Sequence, residues 1–230
     1  MRRKVEEFFA TPSDAWPSWA LSNHDSIRVA TRWAVDNKPD VRQTKMLLAM
    51  LSSLRGSSFV YQGEELGLTE AVIPPEKRQD PGIGSTGTGR DGCRTPMPWD
   101  GAQKNAGFTA ANDGWLPVPP EHAKASVAAQ EKDPASMLNF TRSFLKWRKA
   151  HPALLRGKLS FENAQDNVLA FTRTLEGESV FCAFNLSPSA VTIPLESGWT
   201  ALEGHGLQSK PQGQSVELAG FGGYFGRKKV

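Results

Sequence analysis

The chain has 230 residues, of which 39% are hydrophobic and 22% charged, a composition ordinary for a globular protein with a core of useful size. Its formal charge of +3 is small, and part of the excess lies in basic runs at both ends, so we expect no nucleic-acid partner. No apolar stretch reaches the length of a membrane span, and we therefore expect no membrane partner either.

The first residues and the two cysteines bear on location. After Met1 the sequence Arg-Arg-Lys-Val-Glu-Glu places two acids where a signal peptide needs apolar residues. We interpret this start as the end of an amphipathic helix, and therefore expect a chain that opens in the middle of a fold. Cys93 and Cys182 lie in different kinds of segment, which favours unpaired thiols in a reducing compartment. The sequence therefore predicts a cytoplasmic protein.

A strand, a helix and a second strand are predicted in the first region, up to about residue 69. Trp19–Ser22 is a short apolar run, and Asp40 is predicted to cap a helix that ends before Gly56. Phe59–Tyr61 forms a second compact apolar run. Strand, helix and strand in this order are typical of a parallel β/α unit.

A long loop rich in Gly, Pro and Asp is predicted over about residues 70–132. A loop of this length without elements of its own is usually functional or disordered. It contains a Gly/Thr/Ser run at residues 82–89, the one patch of low complexity in the sequence. A helix is predicted after it, with Asp133 as its cap and Pro134 in its first turn, ending at His151-Pro152.

From Gly157 onward the apolar pattern changes from a helical period to that of strands. Six short runs alternate with turn residues: Leu159–Phe161, Val168–Phe171, Val180–Phe184, Val191–Ile193, Val216–Leu218 and Gly223–Phe225. They predict a small antiparallel β-sandwich domain at residues 157–230, after a first domain at residues 1–156.

The strongest candidate for chemistry is Ser22-Asn23-His24-Asp25, at the end of the first predicted strand. In a closed β/α barrel, side chains at the C-terminal strand ends point into the active-site mouth. An imidazole beside a carboxylate can hold adjacent hydroxyls of a sugar, and such bonds accelerate glycosidic cleavage when they tighten in the transition state. The alternative is a His–Asp pair that only closes a strand end.

A second candidate is the Pro-rich loop in which Arg90 and Arg94 lie four residues apart and which ends in Trp99. Two guanidiniums in a stiff loop suit a clamp on hydroxyls or carboxylates. Trp99 adds an apolar face of the kind that stacks on a sugar ring. The alternative is a surface loop pinned by an Arg–Asp pair.

A third motif, Tyr61-Gln62-Gly63-Glu64-Glu65, puts two acids after the second predicted strand. Neighbouring residues usually point in different directions. We therefore interpret Glu64 and Glu65 as loop anchors rather than as a catalytic acid and base.

Together these motifs resemble glycoside hydrolase family 13, the α-amylase family. Ser22–Asp25 with Arg28 resembles its fourth conserved stretch, and Tyr61–Gly67 is similar to its stretch at the eighth barrel strand. Arg90–Trp99, followed by Asn105–Thr109, resembles the loop shared by α-glucosidases and oligo-1,6-glucosidases. The resemblance covers nearly the whole chain and implies the C-terminal portion of such an enzyme, with strands 7 and 8 of a (β/α)8 TIM barrel followed by the β-sandwich.

The resemblance also implies roles for individual residues. Asp25 would stabilise the transition state, and His24 would hold sugar hydroxyls beside it. Arg94 would close the non-reducing end of the cleavage subsite, with Arg90 and Arg28 as further substrate-binding residues. The family's nucleophilic Asp and acid/base Glu lie on earlier barrel strands and are absent from this chain, so we expect a truncated fragment that is inactive alone. No metal and no cofactor are implied.

The implied reaction is retaining cleavage of terminal α-linked glucose from small α-glucosides or maltooligosaccharides. Two alternatives stay open. One is a sucrose isomerase or transglucosylase of the same family, and the other is a non-catalytic family member used for binding or assembly. The sequence leaves the oligomeric state open.

Overall fold

The structure is a computed structural model that describes residues 2–10, 15–81 and 89–229. It divides into two compact units. The first unit is built from residues 1–19, 45–59 and 143–230, and the second from residues 20–44 and 60–142. Because both units use separate stretches of sequence, the domain boundary at residue 157 stays a prediction.

The α-helices in these ranges are α1 (Arg2–Ala10), α2 (Val29–Arg32), α3 (Val41–Ser53), α4 (Pro120–Lys124), α5 (Val127–Glu131), α6 (Met137–Lys149) and α7 (Pro152–Arg156). Among the residues searched, which are those that the structure describes, no helix has the length and apolar character needed to cross a membrane.

The β-strands are β1 (Ser18–Ala20), β2 (Ser57–Phe59), β3 (Lys158–Phe161), β4 (Val168–Leu175), β5 (Glu178–Asn185), β6 (Val191–Pro194), β7 (Thr200–Ala201), β8 (Ser209–Gln212), β9 (Ser215–Leu218) and β10 (Gly223–Lys229). β1 pairs with β2, five strands form a sheet in the order β3-β4-β5-β10-β7, and three form a sheet in the order β6-β9-β8.

The β-rich part of the first unit is an antiparallel sandwich, as predicted. β4 and β5 form a hairpin in register from Val168↔Asn185 to Leu175↔Glu178, and β10 pairs antiparallel with the other side of β5. Both sheets contribute to one buried cluster: Val168, Ala170, Phe181, Ala183, Ile193, Leu195, Val216, Leu218 and Tyr224. This cluster explains why the alternating apolar pattern identified the strands, since every second side chain faces it.

Two buried arginines join helix ends to this sheet within the first unit. Arg173 of β4 has no exposed surface, and its guanidinium donates to the carbonyls of Ser53, Leu154 and Gly157. Arg148 of α6 donates to the carbonyl of Ser52. Positive charges therefore meet the unpaired carbonyls at the C-terminus of α3, where the helix dipole favours them.

The first predicted strand–helix–strand unit is present, with shifted strand ends. The cap at Asp40 is confirmed, because its Oδ1 accepts the Arg42 N–H at 2.8 Å just before α3. The second strand ends at Phe59 rather than at Tyr61. The reason is local: the Tyr61 N–H donates to the Glu64 carboxylate at 2.9 Å, so the chain has already left the strand there.

The long loop predicted at residues 70–132 lies in the second unit and contains elements of its own. Single 3₁₀ turns occur at Pro75–Lys77 and Asp91–Cys93. A kinked turn follows at Lys104–Gly107, in which Asn105 and Ala106 have positive φ, and α4 and α5 come after it. The low-complexity run lies outside the described residues, apart from Gly89. The helix predicted after the loop begins at Met137 instead of after Asp133, because Asp133 closes a turn with the Ser136 N–H at 3.0 Å. That helix ends before His151-Pro152, as predicted.

Candidate active site

The three sequence motifs meet around the buried guanidinium of Arg28. The Arg28 side chain is 1% exposed, and its Nη1 and Nη2 donate to the carbonyls of Gln62 at 2.7 Å and Cys93 at 2.9 Å. The Arg28 main-chain N–H donates to Glu70 Oε2 at 2.9 Å. The Arg28 side chain thus holds the backbone of the other two motifs. Burial lowers the pKa of the Arg28 guanidinium.

The motif after β2 is tied to the arginine loop by a second contact. The Tyr61 hydroxyl donates to the same Cys93 carbonyl at 3.0 Å, and the Arg28 guanidinium carbon lies 5.4 Å from the Tyr61 ring centroid. Gly63 allows this approach, since its φ is +88° and a Cβ there would lie 2.6 Å from Arg28 Nη1. The close packing fixes the loop backbone at Cys93, between Arg90 and Arg94.

Asp25 is the point at which both loop arginines converge. Arg90 Nη1 and Arg94 Nη2 donate to Asp25 Oδ1 at 2.8 Å and 3.0 Å. His24 Nε2 lies 3.3 Å from Asp25 Oδ2, and Arg94 Nε donates to the His24 carbonyl at 2.8 Å. Half of the Asp25 side-chain surface remains exposed, so the carboxylate is fixed in orientation and still open to a ligand.

The electrostatics of this cluster favour an ionised Asp25. The hydrogen bond from Arg90 is the main reason that the pKa of Asp25 lies below its usual value, with smaller contributions from His24 and Arg94. An ionised carboxylate held by preorganised donors can oppose a positive charge that develops beside it.

Arg90 is itself held from behind by Asp80. The Asp80 carboxylate is fully covered and accepts from Arg90 Nε at 2.8 Å and Arg90 Nη2 at 2.9 Å. The Asp80 main-chain N–H in turn donates to the buried Asp91 carboxylate at 3.1 Å. The hydrogen bond to Asp80, followed by the one to Asp25, raises the pKa of Arg90. A continuous series of hydrogen bonds therefore runs from Asp91 through Asp80 and Arg90 to Asp25.

Glu64 and Glu65 serve the backbone of their own loop. Glu64 Oε2 accepts the Tyr61 N–H at 2.9 Å, and Glu65 Oε2 accepts the Gly63 N–H at 2.7 Å. Burial raises the pKa of Glu64. These contacts agree with the interpretation of both residues as loop anchors.

His122 of α4 braces the arginine loop on its other side. Its Nε2 lies 2.9 Å from the Thr69 carbonyl, and its Nδ1 lies 3.2 Å from the Thr95 hydroxyl. A carbonyl only accepts, so the proton sits on Nε2 and Nδ1 accepts from Thr95. Burial lowers the pKa of His122, which keeps the ring neutral. The residue next to Arg94 is thereby fixed.

An apolar cavity of about 430 Å³ opens beside Arg94. Its walls include Glu65, Trp99 and Phe108, and the two aromatic side chains are about half exposed. Trp99 therefore offers a ring surface, as its place in the motif predicts. Phe108 was not singled out from the sequence.

The structure brings together His24, Asp25, Arg90 and Arg94. Arg28 lies beneath them, and none of its described hydrogen bonds reaches the Asp25 carboxylate. Asp80, Asp91 and His122 were missed by sequence reasoning. The sequence allows the alternative of a surface loop pinned by an Arg–Asp pair, but it does not indicate which Asp. The Arg90–Asp80 ion pair is a pair of this kind. Among the described residues no cluster of three or more His, Cys, Asp or Glu side chains could hold a metal ion.

Comparison with known protein families gives two matches. A family model described as the catalytic domain of α-amylases matches residues 2–157. A second, described as the C-terminal domain of maltogenic amylases, matches residues 159–224.

Individual proteins are similar over most of this chain. It is 42% identical over 228 residues to a probable alpha-glucosidase of Rhizobium meliloti (strain 1021), covering 97% of this chain and 41% of that protein. It is 32% identical over 194 residues to an oligo-1,6-glucosidase of Parageobacillus thermoglucosidasius, covering 75% of this chain and 34% of that protein. The solved structure of the alpha-glucosyl transfer enzyme XgtA matches with a TM-score of 0.93 at 41% identity, over 99% of this chain and 43% of that one.

The chain thus spans less than half the length of each of these relatives. Together with the antiparallel sheets, the matches confirm the predicted fold class: the last part of a (β/α)8 catalytic domain followed by a C-terminal β-sandwich.

Proposed function

Because the chain belongs to the α-amylase family of glycoside hydrolases, we propose that it serves retaining cleavage of terminal α-linked glucose from small α-glucosides or maltooligosaccharides. The observation that carries this proposal is the half-exposed Asp25 carboxylate, held by two arginines and a histidine. Retaining cleavage passes through an oxocarbenium-like state. A fixed negative charge at this position stabilises that state more than it stabilises the neutral substrate.

Each residue of the cluster has a distinct part in this proposal. Asp25 is the transition-state stabiliser, and His24 binds sugar hydroxyls beside it. Arg94 bounds the subsite and fixes His24 through its carbonyl, while Arg90 orients Asp25. Arg28 supports binding from below: it positions the loops through the carbonyls of Gln62 and Cys93.

We propose that this chain does not turn over substrate by itself. Retaining cleavage needs two carboxyl groups about 5 Å apart, one as nucleophile and one as acid/base. Glu64 and Glu65 are engaged with main-chain N–H groups of their own loop, so we assign neither role to them. In this proposal the nucleophile and the acid/base come from residues other than those of this chain.

Glucosyl transfer is a second candidate, favoured by the similarity to the alpha-glucosyl transfer enzyme XgtA. Hydrolysis and transfer share the glucosyl-enzyme intermediate and differ in whether water or a hydroxyl of an acceptor attacks it. The apolar cavity with Trp99 and Phe108 offers an acceptor a surface beside Arg94. Measuring transfer products as well as glucose separates the two candidates.

We further propose a cytoplasmic location. Cys93 and Cys182 are both free and buried in the structure. Free thiols are typical of a reducing compartment, which supports this proposal.

The test joins this chain to the preceding residues of the Rhizobium meliloti relative and measures release of glucose from maltose and p-nitrophenyl α-glucoside. We expect no turnover by the chain alone and turnover by the joined protein. Asp25→Asn should lower kcat and kcat/KM together, on the order of 100- to 1000-fold, because it removes a charge that acts in the transition state.

Asp40→Asn is the matched control, since Asp40 also pairs with an arginine but lies at the start of α3. Asn can still cap that helix, so activity should stay near wild type. Normal turnover by a folded Asp25→Asn protein would contradict the proposed role of Asp25. Turnover by the chain alone would contradict its proposed inactivity.

A further inference from the structure

The C-terminal β-sandwich contains a cavity of about 610 Å³ that the candidate active site does not use. It lies wholly within the first compact unit, between the face of the five-stranded sheet and strand β6. Its volume falls within the range of about 300–1,000 Å³ that is usual for small-molecule sites.

The inner surface of this cavity is apolar. Ala170, Phe181, Ile193 and Leu195 line it, and all four belong to the buried core of the sandwich. Trp199 closes one side, with its ring centroid 5.7 Å from that of Phe181. A ligand in the cavity would therefore bury an apolar surface of its own against these side chains.

The rim of the cavity is polar and carries planar hydrogen-bonding groups. The Thr172 hydroxyl donates to Glu162 Oε1 at 2.7 Å, which orients that carboxylate. Asn163, Gln165 and Glu196 complete the rim, and all three are exposed. Carboxylates and carboxamides together can both accept from and donate to a ligand with several hydroxyl groups.

A peptide added as an extra strand does not fit this site. β6 is an edge strand of its sheet, but Pro194 has no N–H to donate. The Thr192 carbonyl already accepts from Gln165 Nε2 at 2.9 Å, and the Leu195 N–H already donates to the Gln214 carbonyl at 2.9 Å. An added strand would therefore find no donor at Pro194 and an engaged acceptor at Thr192.

We propose that this cavity binds a neutral oligosaccharide, whose C–H faces pack against the apolar interior while its hydroxyls bond the rim. The combination of a tryptophan wall with oriented carboxylate and amide groups suits a ligand that has both kinds of surface. The two rim carboxylates would also attract a cation, and n-butylamine in the test below separates that outcome from sugar binding. The site is separate from the proposed catalytic cluster and would bind sugar without cleaving it.

The test uses the full chain labelled with ¹⁵N, titrated with maltotriose. The chain has seven tryptophans, so the indole N–H signals of Trp199 and Trp99 report on the sandwich cavity and on the candidate active site separately. Trp199→Phe and Trp99→Phe assign the two signals. We expect a saturable shift of the Trp199 signal that persists in Asp25→Asn.

Two exposed rim variants keep the test independent of core packing. Glu196→Ala and Gln165→Ala should each weaken binding at the Trp199 signal by roughly tenfold, the loss of about one charge-assisted or amide hydrogen bond. Glu176→Ala, an exposed carboxylate after β4, is the matched control and should not change it.

Three results would overturn the proposal: no shift of the Trp199 signal at high maltotriose concentration, a shift that neither rim variant weakens, or a larger response to n-butylamine than to maltotriose. A response at Trp99 alone is one form of the first result, and it leaves the proposed function intact. Loss of turnover in the joined enzyme with a normal Trp199 response would contradict the proposed function only.

Discussion

Arg90 donates a 2.8 Å hydrogen bond to Asp25, a residue 65 positions away in the sequence. The same guanidinium binds Asp80 through Nε and Nη2, so it is held on one side while it orients the candidate catalytic carboxylate on the other. Asp80 is fully covered, whereas Asp25 is half exposed. Arg90 therefore binds two carboxylates that differ in exposure: Asp80 supports it from the covered side, and Asp25 stays open to a ligand.

This arrangement predicts that Arg90→Gln raises the pKa of Asp25. The hydrogen bond from Arg90 is the largest cause of the lowered pKa, and glutamine brings no positive charge. Following the Asp25 carboxyl carbon by NMR during an acid titration measures the change. Arg42→Gln removes an arginine that pairs with Asp40 and should leave the Asp25 pKa unchanged. An unchanged pKa in Arg90→Gln would show that Arg94 and His24 suffice.

A second prediction concerns the close contact of Gly63 with Arg28. Gly63→Ala meets two penalties, a positive φ of +88° and a Cβ 2.6 Å from Arg28 Nη1. Gly177→Ala is a matched control, because its φ is +79° but nothing lies within 4 Å of the added Cβ. We expect about 1 kcal/mol of destabilisation in Gly177→Ala and about 1–3 kcal/mol more in Gly63→Ala, measured by urea unfolding. Equal losses would mean that the Arg28 contact relaxes freely.

A third prediction tests the buried arginine of the β-sandwich. Arg173 donates to three carbonyls, and Lys cannot reproduce this planar set of donors. Arg173→Lys should therefore lower the free energy of unfolding by about 2–4 kcal/mol. Arg42→Lys, at an exposed ion pair, should change it by less than about 0.5 kcal/mol. A stability loss no greater than that of the control would contradict the role of Arg173.

The sandwich was predictable because its core strands are short apolar runs between turn residues: β9 alternates between buried and half-buried side chains, and β5 is buried at seven of its eight residues. β8 was missed for the opposite reason: Ser209–Gln212 is a polar edge strand that contains Pro211 and has no buried residue. β7 has only two residues, too few to show any period. Strands that contribute little to the core leave little trace in the sequence.

The residue types of the candidate site could be predicted from the sequence, but the hydrogen bonds that connect them could not. Motif order placed Asp25, Arg90 and Arg94 at one site, and the structure brings them into contact. Asp80 was missed because it lies at the start of a Gly-rich run with no pattern around it. The acceptors of Arg28 are main-chain carbonyls, which every residue has, so no sequence feature indicates that its guanidinium is buried.

The last prediction is that stability falls as the pH drops from 7 to 5, largely because of His205. Its side chain is buried against Trp147 and Phe225, and its Nδ1 accepts the Leu207 N–H at 3.2 Å. Burial, with a smaller contribution from His151, lowers the pKa of His205 from 6.5 to about 4. As the pH falls below 6.5, the unfolded chain therefore binds a proton at His205, whereas the folded chain binds it only near pH 4. The stability that His205 contributes above pH 6.5 is lost progressively as the pH falls toward 4.

The expected loss between pH 7 and pH 5 is about 2 kcal/mol from His205, with a further loss in the same direction from His122, whose pKa burial also lowers. Urea unfolding at several pH values measures it. His205→Asn should flatten the profile by about 2 kcal/mol, because the amide oxygen can still accept the Leu207 N–H but does not titrate in this range. Gln165→Ala, an exposed variant that changes no titratable group, should keep the wild-type profile. If both variants kept it, the pH dependence would have to come from groups other than His205, and the buried neutral imidazole would not be its cause.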